Sequence, residues 1–281
     1  MKYGMNLLLW TGSVTAEHFP LLAKLRAAGF DGVEIPVFGG TPADYKPIRA
    51  ELDKNGLKCT TVTILTAETN AVSPDAGVRK RAADWLKTVV DINHVLGAET
   101  VCGPYHSALG VFSGTGPTAD EKKRSADVLR QAAEHAKQAK LMLAIEYLNR
   151  FECYVLNTAA GARELVQMVN HPNFRCMYDS FHAHIEEKDP AAAIRTVAPV
   201  LAHVHVSEND RGTPGTGQVN WDATFGTLKE IKYDGWMVIE AFGRALPDLA
   251  AATRIWRDLF PSAEDVYTKG LAFMKQRVNA K

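Results

Sequence analysis

Four residues close four consecutive apolar runs in the C-terminal half of the chain. Glu146 follows Leu143-Ala144-Ile145, Asp179 follows Cys176-Met177-Tyr178, His205 follows Ala202-His203-Val204, and Glu240 follows Met237-Val238-Ile239. Singly, each has a bland reading: an acid at a strand end often caps the next helix, and a strand histidine is often a satisfied core side chain. The same arrangement in four successive units is harder to set aside. Three carboxylates brought together raise one another's pKa unless something positive neutralises them, and a divalent cation does so directly. A shell of three carboxylates and one imidazole, with no thiolate, suits Mn²⁺, Mg²⁺ or Co²⁺ better than structural zinc.

These residues need a scaffold that delivers four strand ends to one place. Short apolar runs at 3–9, 32–36, 58–65, 100–103, 142–146, 174–179, 202–206 and 236–240 predict eight strands. Amphipathic stretches at 16–28, 45–55, 78–96, 120–139, 158–169, 190–197, 221–231 and 249–274, the last interrupted by Pro261, predict the helices. Their ends are punctuated as helix ends should be. Ala28-Gly29, Asn55-Gly56 and Leu96-Gly97 read as C-caps, Asn157-Thr158 as an N-cap, and Asp189-Pro190 as a start. Eight strand-helix units favour a closed (β/α)8 TIM barrel over an open doubly wound sheet. No linker cuts the chain, so 1–281 is expected to be one domain, with its active site at the C-terminal ends of strands five to eight. Alternation places Met142, Ala144 and Glu146 on one strand face and Trp236, Val238 and Glu240 on another, which lets each acid point into the barrel mouth.

Composition removes several function classes. Thirty-two basic and 32 acidic residues balance to a net charge of zero, so no overall field draws the chain to nucleic acid or an anionic membrane. Leu7-Leu8-Leu9-Trp10 is too short for a signal-peptide core, and no apolar run reaches membrane-spanning length. Cys59, Cys102, Cys153 and Cys176 show no paired spacing and read as buried thiols of a reducing, cytoplasmic compartment. The glycine-rich run 211–217 lacks the Gly-Lys-Ser/Thr ending of a phosphate loop and reads as an active-site loop needing permissive turns.

Several motifs together resemble one family. They are Ile145-Glu146-Tyr147-Leu148-Asn149-Arg150-Phe151-Glu152, Asp179-Ser180-Phe181-His182 followed by Ile185-Glu186-Glu187, His203-Val204-His205 with Glu208-Asn209-Asp210-Arg211 and the glycine loop, and Ile239-Glu240-Ala241-Phe242. In order and spacing they resemble the ketose 3-epimerases, the D-tagatose and D-psicose (allulose) 3-epimerases of the xylose-isomerase-like barrels. The resemblance implies that Glu146, Asp179, His205 and Glu240 bind one divalent metal, with Mn²⁺ expected first and Co²⁺ or Mg²⁺ as alternatives. It implies that Glu152, His182 and Arg211 hold substrate oxygens, that Phe242 packs against a free ketose, and that the chain forms a homodimer or homotetramer.

Inverting a carbon beside a ketone means taking its proton from one face and returning one to the other through an enediolate. Glu146 and Glu240, from the fifth and eighth strands, are expected to be the two acid/bases. An aldose-ketose isomerase would use the same metal and acids, and only its products distinguish it. A non-catalytic sugar-binding protein is a further alternative, while a metal-dependent nuclease would need the basic groove this chain lacks. Trp10, Tyr105 and His106 are candidate pocket walls, and the preferred ketose stays open.

Overall fold

The apolar runs become strands and the periodic stretches behind them become helices. In the computed structural model, which describes residues 1–280, the strands are β1 (Lys2–Asn6), β2 (Gly32–Pro36), β3 (Lys58–Val62), β4 (Thr100–Gly103), β5 (Met142–Ile145), β6 (Phe174–Asp179), β7 (Leu201–Val206) and β8 (Trp236–Ile239). Each pairs in parallel with the next, and β8 pairs back to β1 to close the barrel. The helices are α1 (Phe19–Ala28), α2 (Lys46–Asn55), α3 (Ala76–Leu96), α4 (Ala119–Ala139), α5 (Ala159–Val169), α6 (Ser180–Glu186), α7 (Pro190–Val197), α8 (Trp221–Glu230), α9 (Pro247–Thr253) and α10 (Ala263–Asn279). This is the expected (β/α)8 architecture.

The helix punctuation also acts as the sequence predicts. Gly29, Gly56 and Gly97 end α1, α2 and α3 in the left-handed region, where a glycine pays no Cβ penalty. Thr158 accepts the Gly161 N–H at the start of α5, and Asp189 accepts those of Ala191 and Ala192 at the start of α7.

The third strand ends at Val62 rather than at 65, and 16–18 of the first helical stretch form a separate 3-10 turn; three further elements differ from the predicted ones. The first strand stops at Asn6 because the Asn6 side chain accepts the Leu8 N–H at 2.8 Å, turning Leu7–Leu9 into a 3-10 turn. Helix α6 has no predicted counterpart, since seven residues are too few to show a helical period; Asp179 nucleates it by accepting the N–H groups of Phe181 and His182. The C-terminal helical stretch forms two separate helices, α9 and α10, with Pro261 in the connection between them.

Strand alternation divides the apolar residues into two layers. Leu143 and Ile145 of β5 pack outward with the large helix-facing core, whereas Ala144 turns inward to a smaller set with Leu8, Val62, Cys102, Met177 and Phe242. The small interior leaves the C-terminal end of the barrel to polar side chains. Lateral register sets their rows: Asn6 lies beside Glu34 and Glu34 beside Thr60, while Asp179 lies beside His205. All four cysteines are buried free thiols. Among the described residues, no helix is long and apolar enough to cross a membrane.

Candidate active site

The strand ends converge as their spacing predicts. Glu146 stands just past β5, Asp179 ends β6, His205 lies near the end of β7, and Glu240 stands just past β8. One donor atom from each falls within 4.8 Å of the others, and all four side chains are buried. His205 Nδ1 is 3.5 Å from Asp179 Oδ2 and 3.4 Å from Glu240 Oε1, yet it has no hydrogen-bond partner. A buried ring nitrogen with no partner, facing two carboxylate oxygens, is the arrangement of a metal ligand. Three carboxylates and one imidazole therefore fit a divalent cation.

Asp179 performs two tasks with its two oxygens. Oδ1 caps α6, which is the bland reading of an acid at a strand end, and Oδ2 faces the cluster, accepting from the Ser207 hydroxyl at 3.0 Å. Helix capping and cluster membership thus coexist in one side chain.

Electrostatics separate the carboxyl groups. Burial, reinforced by the Glu240 charge, holds the Glu146 carboxyl well above the usual range. Burial would also raise Asp179, but the Arg211 guanidinium and the nearby His205 ring outweigh it and hold it low. Glu152 is raised by burial, with Arg211 opposing. An excess of carboxylate over cationic groups in one buried place is costly, and a divalent ion offsets that cost.

Arg211 reaches into this cluster from the glycine-rich loop. Its Nη1 donates to Glu240 Oε2 at 2.5 Å and lies 3.5 Å from Asp179 Oδ2. The guanidinium is held between two rings, 3.8 Å from the Phe181 centroid and 4.7 Å from that of Phe242. Its backbone is left-handed, at φ 65°, a strained conformation for a non-glycine residue. The loop is pinned by Glu208, whose buried carboxylate accepts from the N–H groups of Gly215 and Val219 and the Trp221 indole. A Cβ on Gly217 would lie 2.7 Å from that carboxylate, which is why the loop passes there with a glycine.

His182 is buried, and burial followed by the Arg211 charge pushes its pKa down to about 3, so the ring is neutral. The Asn149 backbone N–H points at its Nδ1 at 3.0 Å and the Arg211 Nη2–H at its Nε2 at 3.0 Å, so a donor is aimed at each ring nitrogen. Nε2 also lies 3.7 Å from Glu146 Oε1. The ring and the guanidinium thus share one edge of the cluster. Glu152 is tied in through Asn149, whose Nδ2 donates to Glu152 Oε1 at 2.7 Å. His184, by contrast, is exposed.

The other wall candidates pack more plainly. Tyr105 is buried in the core with its hydroxyl donating to the Val101 carbonyl, and His106 is buried against Ser107 and Cys153. Trp10 is half-buried beside Tyr267. Sequence reasoning passed over Asn149, which joins Glu152 to His182, and Glu34, whose Oε1 is 2.7 Å from His205 Nε2. Glu34 carried a signal of the same kind as the four strand ends: an acid between Val33 and Ile35 in an apolar strand.

Comparison with known proteins gives this geometry its setting. The family model described as xylose isomerase-like TIM barrel matches residues 22–277. The ketose 3-epimerase of Arthrobacter globiformis is 34% identical over 283 residues, covering 100% of this chain and 98% of the relative. This chain belongs to the ketose 3-epimerase family. It is accordingly an enzyme of the isomerase class. The D-psicose 3-epimerase of Agrobacterium fabrum is 31% identical to this epimerase over 94% of its chain and 93% of the relative. A solved structure of the D-allulose 3-epimerase of Methylomonas sp. in complex with D-allulose superposes on the same epimerase with a TM-score of 0.93 at 28% identity, covering 99% and 97% of the two chains.

Proposed function

We propose that this epimerase inverts C3 of a free ketose of the D-tagatose, D-allulose or L-ribulose type through an enediolate, with Glu146 and Glu240 as the two acid/bases. The observation that carries this reading is the convergence of two glutamates from β5 and β8 on one His205 and one Asp179. Because these strands lie three apart in a closed barrel, the two carboxylates approach a substrate across the mouth from different sides. One removes the C3 proton, and the other delivers a proton to the opposite face. The raised Glu146 carboxyl is suited to holding a proton that a freely solvated glutamate would lose.

Glu146, Asp179, His205 and Glu240 would hold one divalent cation, Mn²⁺ first and Co²⁺ or Mg²⁺ otherwise, which supplies positive charge where the enediolate oxygens develop. His182 and the Arg211 guanidinium, in contact with each other, supply donors to the same developing charge. Glu152, steadied by Asn149, accepts from a substrate hydroxyl. Phe242 and Phe181 hold the Arg211 fork in its plane, and Phe242 offers the sugar an apolar face. No concentrated cation cluster calls for a phosphate, which favours free sugars, and a homodimer or homotetramer is the assembly we expect.

Proton NMR in D₂O with a panel of free ketoses tests the proposal, using Mg²⁺ to avoid paramagnetic broadening. Metal-dependent loss of the C3 proton signal with growth of the C3 epimer is the expected result. Exchange at C1 with aldose formation would replace epimerase by aldose-ketose isomerase, and no exchange with any ketose would reject both.

A further inference from the structure

We infer that Glu34 is the positioning residue that sets the ring of His205 for a metal ion, an inference that rests on the metal reading above. Glu34 sits in the middle of β2, has no solvent exposure, and lies outside the four-residue cluster. Its Oε1 is 2.7 Å from His205 Nε2. A carboxylate is an acceptor only, so Nε2 carries a ring proton and Nδ1 is the nitrogen left to a metal ion. Nδ1 is the nitrogen that faces Asp179 and Glu240 without a partner. Such a carboxylate-histidine pair fixes both the tautomer and the ring plane.

The carboxylate that does this is itself held from several strands. Asn6 Nδ2 donates to Oε1 at 2.9 Å, the Thr60 hydroxyl to Oε2 at 2.8 Å and the Cys102 thiol to Oε2 at 3.1 Å. His203 Nε2 stands 2.9 Å from Oε2. The Asn6 amide is oriented unambiguously, because its oxygen takes the Leu8 N–H. Its nitrogen must then face the carboxylates, and it reaches Glu240 Oε1 at 3.2 Å as well as Glu34. Glu34 is thereby connected to two members of the cluster, to His205 directly and to Glu240 through Asn6.

A rival use of the same atoms is a second ion held by Glu34, Cys102, His203 and His205, whose donor atoms also lie within 4.8 Å of one another. The hydrogen bonds favour positioning: both Glu34 oxygens already accept from protonated donors, and the 2.7 Å contact to His205 has hydrogen-bond length.

The experiment is Mn²⁺ titration of metal-stripped wild type, Glu34→Gln and Thr60→Val, with ions per chain counted and the ketose KM measured at saturating Mn²⁺. Wild type should bind one ion per chain. Glu34→Gln should bind it about 10 to 100-fold more weakly, with KM moved less than about twofold, a split that general loss of structure would not give. Equal affinity in wild type and Glu34→Gln overturns the inference, as do two ions in wild type falling to one in the variant. Should Glu34→Gln fail to fold, Thr60→Val decides: several-fold weaker Mn²⁺ binding supports the inference and unchanged binding overturns it. Wild type that binds no divalent ion strikes the metal reading itself, separately from the comparison between variants.

Discussion

Glu146, Asp179, His205 and Glu240 stand at or just past the C-terminal ends of β5 to β8, whereas inward positions of β1 to β4 carry Asn6, Glu34, Thr60 and Cys102. The first set turns three carboxylates and an imidazole toward one another. The second has a single acid, and that acid is consumed by hydrogen bonds from its own half of the barrel and from His205. Both sets are buried, so the difference is one of charge balance rather than exposure. A group of ionised carboxylates in a low-dielectric place requires a counter-charge, while a satisfied carboxylate does not. The barrel thus keeps its unbalanced charge in one half and its rigid support in the other.

The largest effects should fall in the unbalanced half. Glu146→Gln or Glu240→Gln should lower kcat by roughly 10²- to 10⁴-fold, the range for loss of a general acid or base. A change in the other half that leaves Glu34 in place, such as Cys102→Ser, should cost far less. Steady-state rates with the preferred ketose measure both. A Cys102→Ser loss as large as that of Glu146→Gln would break the division between the halves.

Removal of the counter-charge should come next. Dialysis against a chelator should abolish epimerisation and lower the thermal midpoint, and Mn²⁺ at about 100 times its Kd should restore stability by roughly 2.7 kcal/mol. Scanning calorimetry with and without metal reads this directly. A midpoint indifferent to Mn²⁺, Co²⁺ and Mg²⁺ would mean that the carboxylates are balanced by Arg211 and the histidines alone.

Arg211 sharpens the comparison because, among the described residues, it is the guanidinium that reaches into the carboxylate cluster. Arg211→Ala leaves Glu240 without its 2.5 Å partner and, on the proposed mechanism, without the donor to the developing charge. A fall in kcat/KM of roughly 10²-fold is expected, with Arg211→Lys recovering only part of it because the planar fork is lost. An unchanged kcat/KM would remove Arg211 from the site.

The contrast between the halves also explains what could be read from sequence. Glu146, Asp179, His205 and Glu240 each end an apolar run, so strand alternation and repetition along the chain were enough to gather them. Glu34 also interrupts an apolar run, but its partners lie 28, 26, 68 and 171 residues away, at Asn6, Thr60, Cys102 and His205. No local spacing encodes such a set, because register across β1 to β4 and the reach of His205 from β7 bring it together. Helix α6 was missed for a related reason: its N-cap was visible as Asp179, but its length gave no period. The stacking of Arg211 between Phe181 and Phe242 joins three separate loops and helix starts, and composition gives no sign of it.

The smallest effect on turnover, and a test of the quieter half, comes from His106 beyond β4. It is fully buried, and burial pushes its pKa down to about 3, against 6.5 when unfolded. The unfolded chain therefore binds a proton near pH 6.5 that the folded chain refuses until about pH 3. Stability from this group is fully present above pH 6.5 and is lost as pH falls toward 3, amounting at the acid end to something on the order of 5 kcal/mol. His182, lowered to about the same value, contributes with the same sign. His106→Gln should flatten the acid limb of the stability-pH profile by up to about 1.4 kcal/mol per pH unit while leaving kcat/KM within about twofold. Urea unfolding of the metal-free protein between pH 4 and 7 measures the slope. An acid limb as steep in His106→Gln as in wild type would show that the refused proton belongs to other groups. A large loss of kcat/KM would place His106 at the substrate and carry the reactive half of the barrel across to β4.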